Sequence, residues 1–208
     1  MAPASELPPG PHVEDGLAIT FWRFVEHDPE HPPSGREAGE ALRRLHEALE
    51  AYPGELPPFV GLLDECARVI DRLEESGGLG AARPEVLRGA LERVRMAIDG
   101  AALPAQPLHG DVGRSNLLRT PGGLLWTDFE DTCAGPIGWD LACLVVSAEP
   151  EGTAALAGYR RPPAGEELEP FIEARRLQTA VWTAFLAERH PEVRARAETR
   201  LSRWTAPR

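Results

Sequence analysis

Residues 108–131 read LHGDVGRSNLLRTPGGLLWTDFED and place many polar, ionisable side chains between two short apolar runs. The runs LL and LLW are separated by a Thr-Pro-Gly-Gly turn, which is the pattern of a small β-hairpin. His109, Asp111 and Asn116 precede its first strand. Asp128 follows its second strand. Since the two ends of a hairpin lie side by side, the pattern brings four polar groups to one end of it.

The spacing of these polar residues predicts a particular chemistry. Asp111 and Asn116 lie on one loop, and Asp128 returns across the turn, so that an amide and a carboxylate can meet around one ion. Oxygen ligands of this kind suit Mg²⁺. Asp111 would then face an acceptor hydroxyl and take its proton as the hydroxyl attacks a phosphoryl group. The interval between Asp111 and Asn116 also matches the kinase pattern D-x-x-x-x-N.

Three blocks in order, HGDVGRSN, DFED and GPIGWDLA, resemble the aminoglycoside phosphotransferase and choline-kinase-like family of small-molecule kinases. The resemblance extends over about residues 11–159 and includes GLAITFWRFVE, which is similar to the hinge strand of the family. It also includes LRRLHEAL, which is similar to the first helix of its large lobe. It implies transfer of the γ-phosphoryl group of ATP or GTP to a hydroxyl of a small molecule.

The resemblance also assigns roles to residues of this chain. It implies that Asp111 is the catalytic base, and that Asn116 and Asp128 hold Mg²⁺ against the nucleotide phosphates. His109 and Asp140 would be structural supports of the catalytic loop. From the residues alone, His46 and His109 are predicted to be hydrogen-bonded structural histidines. Arg114 is either a phosphoryl ligand or an exposed loop arginine, and the bulky residues Trp126 and Trp139 are predicted to belong to the core.

The fold class that we expect is α+β and mainly helical: a protein-kinase-like C-lobe with a small catalytic β-hairpin. Residues 1–30 are expected to hold a disordered lead-in, with order beginning near Gly16, and a remnant N-lobe strand with the hinge. Leu17–Val25 is predicted to be that strand, covered on both faces. Residues 31–208 would form the helical lobe. Helices are predicted over about 34–52, 60–75, 84–99, 137–148, 166–188 and 191–204.

Half of the expected kinase machinery is missing from the sequence. Kinases of this type cover the phosphates with a glycine-rich loop and contact them with a strand lysine. No such loop is found, and all 22 Lys plus Arg residues of this chain are arginine. We therefore expect a fragment that phosphorylates weakly on its own. The alternatives are a decayed kinase and a chain whose missing lobe is supplied by a partner or within a homodimer.

Composition limits the choice of partners. The net charge of −11 disfavours nucleic acid and favours a cationic small molecule, for which Glu166, Glu167, Glu169 and Glu173 are candidates. With no apolar stretch of membrane-spanning length and no signal peptide pattern, we expect a cytoplasmic protein without a membrane partner. The three cysteines form no paired framework and are expected to be buried, reduced thiols.

Two other classes of function remain open at the level of sequence. A non-catalytic binding module would keep the helical lobe and a ligand groove, while the loop carboxylates serve structure. A metal-dependent phosphohydrolase would use His109, Asp111 and Asp128 as ligands.

Glu130 and Asp131 follow Asp128 closely in the sequence. In any of these functions, they either touch a second ion or are solvated.

Overall fold

Helices dominate the structure, a computed structural model that describes residues 4, 7–8, 10–79, 83–101 and 103–204. A long helix, α6, packs against four others, α2, α3, α4 and α7, and forms the centre of the helical layer. The fold is therefore mainly helical, as expected. The helices are α1 (Gly35–Leu49), α2 (Val60–Ser76), α3 (Pro84–Asp99), α4 (Gly138–Ser147), α5 (Gly152–Tyr159), α6 (Gly165–Ala187) and α7 (Arg194–Leu201).

Helix α1 begins where the capping box predicts. The Glu37 N–H donates to the Ser34 hydroxyl, and the Ser34 N–H donates to the Glu37 carboxylate. These bonds satisfy two donors that the first turn of a helix leaves free. Helix α1 then packs against α5 so closely that a Cβ on Gly39 would lie 1.9 Å from the carbonyl oxygen of Ala155. Only glycine permits this approach of two helices.

Two short antiparallel strand pairs frame the segment that carries the polar residues. The predicted hairpin is confirmed, with Leu117 opposite Trp126 and Thr120 opposite Gly123. The second pair has no counterpart in the predictions from sequence, because AQPL and CAGP are short and rich in residues with low strand propensity. This second pair joins residues 105–108 to residues 133–136 and so holds together the two ends of the segment that contains the hairpin. The strands are β3 (Ala105–Leu108) paired with β6 (Cys133–Pro136), and β4 (Leu117–Thr120) paired with β5 (Gly123–Trp126).

The prediction of a long strand covered on both faces at Leu17–Val25 is wrong. Only β2 (Leu17–Ile19) forms, and it pairs with β1 (His12–Glu14) in a hairpin whose apolar side chains are exposed. The described residues provide one strand partner here and no layer above or below it, so Phe24 is 79% exposed. Since β1 precedes Gly16, regular structure also begins earlier than expected.

The remaining structural expectations concern membranes and cysteines. Among the helices of the described residues, none combines the length and the apolarity that crossing a bilayer requires. All three cysteines are buried and unpaired, and burial raises the pKa of the Cys66 thiol and of the Cys133 thiol to about 12. These thiols stay protonated at neutral pH, which agrees with their predicted structural role.

Candidate functional site

The loop between β3 and β4 is held from beneath by one buried carboxylate. Asp140 lies in the first turn of α4 and is fully buried. Its two oxygens accept hydrogen bonds from the backbone N–H of His109, at 2.8 Å, and of Gly110, at 2.9 Å. Charge-assisted bonds to backbone amides are among the strong ones in proteins. The supporting role that the resemblance implies for Asp140 thus has a direct structural basis.

Gly110 lets the loop pass close to the segment after the hairpin. Its φ is +90°, and a Cβ there would lie 1.9 Å from the carbonyl oxygen of Asp131. The Gly110 carbonyl in turn accepts a hydrogen bond of 2.6 Å from the indole N–H of Trp139. Trp139 is completely buried, as expected for a core residue. Backbone contacts therefore fix the loop just before Asp111.

His46 connects the same carboxylate to helix α1 and helix α5. Its Nε2 donates to Asp140 at 3.0 Å, and its Nδ1 accepts from the Tyr159 hydroxyl at 2.8 Å. Burial, followed by the charge of Asp140, raises the pKa of Tyr159 to about 12, so the hydroxyl keeps its proton and donates. The prediction that His46 is a structural histidine is confirmed.

His109 is also structural. It is fully buried, its Nε2 donates to the carbonyl of Thr127 at 2.9 Å, and its Nδ1 faces the backbone N–H of Asp111 at 3.4 Å. Because both ring nitrogens have partners, neither offers a free lone pair to a metal. The ring also packs between Trp126 and Phe129, with centroids at 5.5 and 4.5 Å.

Asp111 and Asn116 are brought into contact, as their spacing predicts. The Asn116 amide nitrogen donates to the Asp111 carbonyl at 3.0 Å and lies 3.3 Å from the carboxylate oxygen Oδ2. The amide oxygen of Asn116 accepts from the Ser115 hydroxyl at 3.2 Å, a contact on the exposed side of the loop. The amide nitrogen thus faces Asp111, and the amide oxygen points away from Asp111 toward Ser115.

Asp128 lies next to this pair through the backbone. The N–H of Thr127, the preceding residue, donates to the carbonyl of Asn116 at 2.9 Å. Asp128 itself is exposed and has a φ of +65°, a conformation that aspartate tolerates better than most residues. Over the described residues, no hydrogen bond or ion pair engages its carboxylate, which is therefore available to a ligand.

The donor set of Asn116 and Asp128 suits one magnesium ion shared with phosphates. The described residues contain no group of three or more His, Cys, Asp or Glu side chains arranged to hold a metal. Mg²⁺ commonly takes one or two protein carboxylates and completes its shell with phosphate oxygens and water. An amide oxygen and a free carboxylate at the end of one hairpin fit that requirement.

Arg175 contacts the predicted base and was missed by the sequence reasoning. From helix α6 its Nη2 forms an ion pair with Asp111 Oδ1, while its Nη1 donates to Gln178 at 2.6 Å. The guanidinium also lies 5.9 Å from the centre of the Trp139 ring. The sequence shows two adjacent arginines, Arg175 and Arg176, and nothing in the helical pattern says which one faces the loop.

With this geometry established, comparisons with known proteins become informative. A sequence model of the phosphotransferase enzyme family, APH, matches residues 3–173. The chain belongs to this phosphotransferase family. No curated protein sequence gives a significant match to it.

Solved structures show which fold this chain adopts. An ethanolamine kinase from Plasmodium vivax superposes with a TM-score of 0.65 at 15% identity, and the alignment covers 88% of this chain and 63% of the kinase. A choline kinase from Streptococcus pneumoniae gives 0.63 at 15% identity, covering 96% of this chain and 76% of the kinase. A choline/ethanolamine kinase family protein from Mesorhizobium loti gives 0.56 at 22% identity, covering 92% and 70%.

These likenesses show a protein-kinase-like fold and confirm the expected fold class. They also show that the chain spans less than two thirds of the length of the Plasmodium kinase. At identities of this size, the structures establish the fold and not the substrate.

Charged residues near Asp111 differ in their burial and partners. Burial, followed by the nearby Asp111 carboxylate, raises the pKa of Asp131 above its ordinary value. Arg114 lies 3.5 Å from Glu151 in a partly exposed ion pair. Asp131 is thus partly withdrawn from solvent, and Arg114 has an acidic partner on the surface.

The acidic residues of α6 that were considered for substrate recruitment lie elsewhere. Glu166, Glu169 and Glu173 line a cavity of about 310 Å³ between α3 and α6, together with Trp204. Asp111 does not line this cavity. Attraction of a cationic acceptor by these glutamates therefore stays a prediction.

Proposed function

We propose that this protein is a Mg²⁺-dependent phosphotransferase that moves the γ-phosphoryl group of ATP, or of GTP, to a hydroxyl of a small molecule. The observation that carries the proposal is the contact between Asn116 and Asp111 on a loop whose backbone is anchored to the buried Asp140. Membership of the phosphotransferase family supports the same reaction class.

Asp111 is the proposed catalytic base. As the acceptor hydroxyl attacks the γ-phosphorus, its proton passes to the Asp111 carboxylate, a new O–P bond forms, and the bond between the γ-phosphorus and the β–γ bridging oxygen breaks. The nucleotide diphosphate leaves with that oxygen. The anchored backbone of the loop keeps the base in place during this transfer. Correct positioning of the reacting groups supplies a large part of the rate enhancement in phosphoryl transfer.

Asn116 and Asp128 are the proposed ligands of the magnesium ion. When bound, the ion would neutralise charge on the β- and γ-phosphates. The Asn116 amide nitrogen donates to Asp111, so the amide oxygen, which uses one lone pair to accept from the Ser115 hydroxyl, is the atom that would bind a cation. The neighbouring choline kinase from Streptococcus pneumoniae has been solved with AMP, and an amicoumacin kinase with AMP-PNP and Ca²⁺. Both complexes support a nucleotide as the donor here.

The proposed acceptor is a small hydroxyl compound, and amino alcohols are the first class to test because of the choline and ethanolamine kinases among the neighbours. The acidic net charge of −11 also favours a cationic acceptor over nucleic acid. Because the sequence contains no lysine, we expect slow turnover unless a partner chain or a homodimer supplies the missing phosphate contacts.

One of the three candidate metal ligands of the phosphohydrolase alternative, His109, is not free to bind a metal. His109 is buried and both of its ring nitrogens have protein partners. A metal centre built on His109, Asp111 and Asp128 would require the ring to leave its packing against Trp126.

The test is transfer from γ-labelled ATP with Mg²⁺ to a panel of amino alcohols and sugars, with the phosphorylated product identified by mass spectrometry. We expect product with the natural chain and a loss of about 100-fold or more in Asp111→Asn, since general base catalysis is typically worth that much. Asp99→Asn, an exposed change on α3, is the control.

Three other outcomes would overturn the proposal. ATP binding without product on any acceptor would indicate a binding module. Release of phosphate to water without acceptor dependence would indicate a phosphohydrolase. Equal product from Asp111→Asn and the natural chain would exclude Asp111 as the base.

A further inference from the structure

We propose that Arg175 is a positioning residue that holds the Asp111 carboxylate in the orientation needed to accept a proton. The inference rests on the proposed function and extends it to a residue of α6 outside the matched range 3–173. It also lies outside the three sequence blocks that carry the family resemblance.

The first argument is how the two oxygens of Asp111 are divided. Oδ1 is taken by the ion pair with Arg175, and within the described residues Oδ2 has one hydrogen-bond partner, the Asn116 amide nitrogen at 3.3 Å. The guanidinium is already fully protonated and cannot take up another proton, so the oxygen that it covers, Oδ1, is not free to act as the base. The proton of the acceptor hydroxyl therefore passes to Oδ2. The ion pair at Oδ1 fixes the direction in which Oδ2 points.

The second argument is how firmly Arg175 is held. Its side chain is only 17% exposed, with Gln178 at 2.6 Å and the Trp139 ring at 5.9 Å. Burial alone would lower the pKa of Arg175, but the ion pair with the Asp111 carboxylate raises it above its ordinary value. The residue therefore remains a cation within a rigid setting, as an orienting group requires.

The third argument is the charge that Arg175 counters. Burial, followed by the charge of Asp111, raises the pKa of Asp131, and the charge of Arg175 opposes this rise. Without the cation paired with Asp111, like-charge repulsion would push the two carboxylates apart. Arg175 stabilises Asp111 beside Asp131, whereas Arg176, the next residue, pairs with Glu149 and Glu173 and not with the loop carboxylates.

The kinetic test compares Arg175→Gln, Arg175→Lys and the matched control Arg176→Gln. We expect Arg175→Gln to lower kcat by about 10- to 100-fold, because misplacement of a catalytic group by about 1 Å has effects of this size. KM for ATP should stay within about twofold, since Arg175 has no role in holding the nucleotide. Arg175→Lys keeps a cation next to Oδ1 and should recover part of kcat, while Arg176→Gln should match the natural chain.

A second readout needs no turnover. The side-chain amide of Asn116 contacts Asp111 and reports on the carboxylate in ¹H–¹⁵N NMR spectra. Arg175→Gln should shift this resonance, Arg175→Lys should shift it less, and Arg176→Gln should leave it unchanged. An unshifted Asn116 amide in folded Arg175→Gln, or a raised KM for ATP with kcat intact, would overturn the inference. If neither the natural chain nor any variant transfers phosphate, the proposed function fails. The NMR result then still decides whether Arg175 orients Asp111.

Discussion

His46 and Asp140, separated by 94 residues in sequence, are joined by a buried hydrogen bond of 3.0 Å. Asp140 also accepts the backbone N–H groups of His109 and Gly110, so a single carboxylate connects α1, α4 and the loop that carries Asp111. A buried charge with several donors is costly to leave partly unsatisfied and stable when all its bonds are made. The anchoring of the loop and the stability of the fold therefore depend on the same group.

Replacing Asp140 with alanine should destabilise the protein by about 3 kcal/mol, because three donors would lose their buried acceptor. Urea unfolding followed by far-ultraviolet circular dichroism measures this. Asp71→Ala is the control, since Asp71 forms an exposed ion pair with Arg88 and should cost less than about 1 kcal/mol. Equal losses of unfolding free energy in the two variants would show that the Asp140 contacts add no more to stability than an exposed ion pair does.

Tyr159→Phe removes the hydroxyl that donates to His46 and should lower the free energy of unfolding by about 1 kcal/mol. Tyr52→Phe is the matched change at an exposed tyrosine and should have an effect within about 0.5 kcal/mol of zero. Thermal and urea unfolding of the two variants compare them directly. A Tyr159→Phe protein as stable as the natural one would mean that His46 finds another partner.

Local signals in the sequence predicted the parts of this fold that depend on near neighbours. Ser34 and Glu37 specify the start of α1 through bonds within one turn, and the structure shows both bonds. The interval from Asp111 to Asn116 likewise places two side chains of one loop in contact. In both cases the interaction spans at most five residues, so few conformations compete with it.

Features that depend on tertiary arrangement could not be predicted in this way. Arg175 reaches Asp111 across 64 residues, and its helical position alone does not say which loop it faces. Apolar side chains on both faces of Leu17–Val25 predicted a strand covered on two sides, but burial depends on neighbouring layers that the described residues do not provide. Without covering layers, only Leu17–Ile19 of this segment forms a strand.

Gly110→Ala should destabilise the protein by about 2 kcal/mol or more, since φ is +90° and the new Cβ would meet the Asp131 carbonyl at 1.9 Å. Gly61→Ala is the matched control, because Gly61 lies in α2 with open space around a built Cβ. That change should stabilise the helix by about 0.5–1 kcal/mol. Opposite signs in urea unfolding are expected, and a neutral Gly110→Ala would show that the loop can shift without cost.

Stability should fall at acid pH through Glu37. The backbone N–H and then the hydroxyl of Ser34, followed by Arg119, lower the pKa of Glu37 to about 2 from 4.5. A lowered pKa in the folded state gives stability that is present above 4.5 and is lost as the pH falls toward about 2. Because the side chain is 40% exposed, the contribution should be about 1 kcal/mol or less. Unfolding measured from pH 6 to pH 2 should show a smaller acid loss in Glu37→Gln, and identical slopes would contradict this.

Asp128 offers the sharpest test of the proposed magnesium site, because its carboxylate has no protein partner within the described residues and is exposed. If it holds the ion, Asp128→Asn should weaken binding of ATP with Mg²⁺ by about tenfold or more, as loss of a ligand costs at least what loss of an outer-shell partner does. Binding of ATP without Mg²⁺ should change little, since that arm does not involve the ion. Isothermal titration calorimetry with and without Mg²⁺ separates the two contributions, with Asp99→Asn as the exposed control. The free energy of unfolding should stay within about 0.5 kcal/mol, because no described bond is broken. Equal weakening in both arms would place Asp128 outside the metal site.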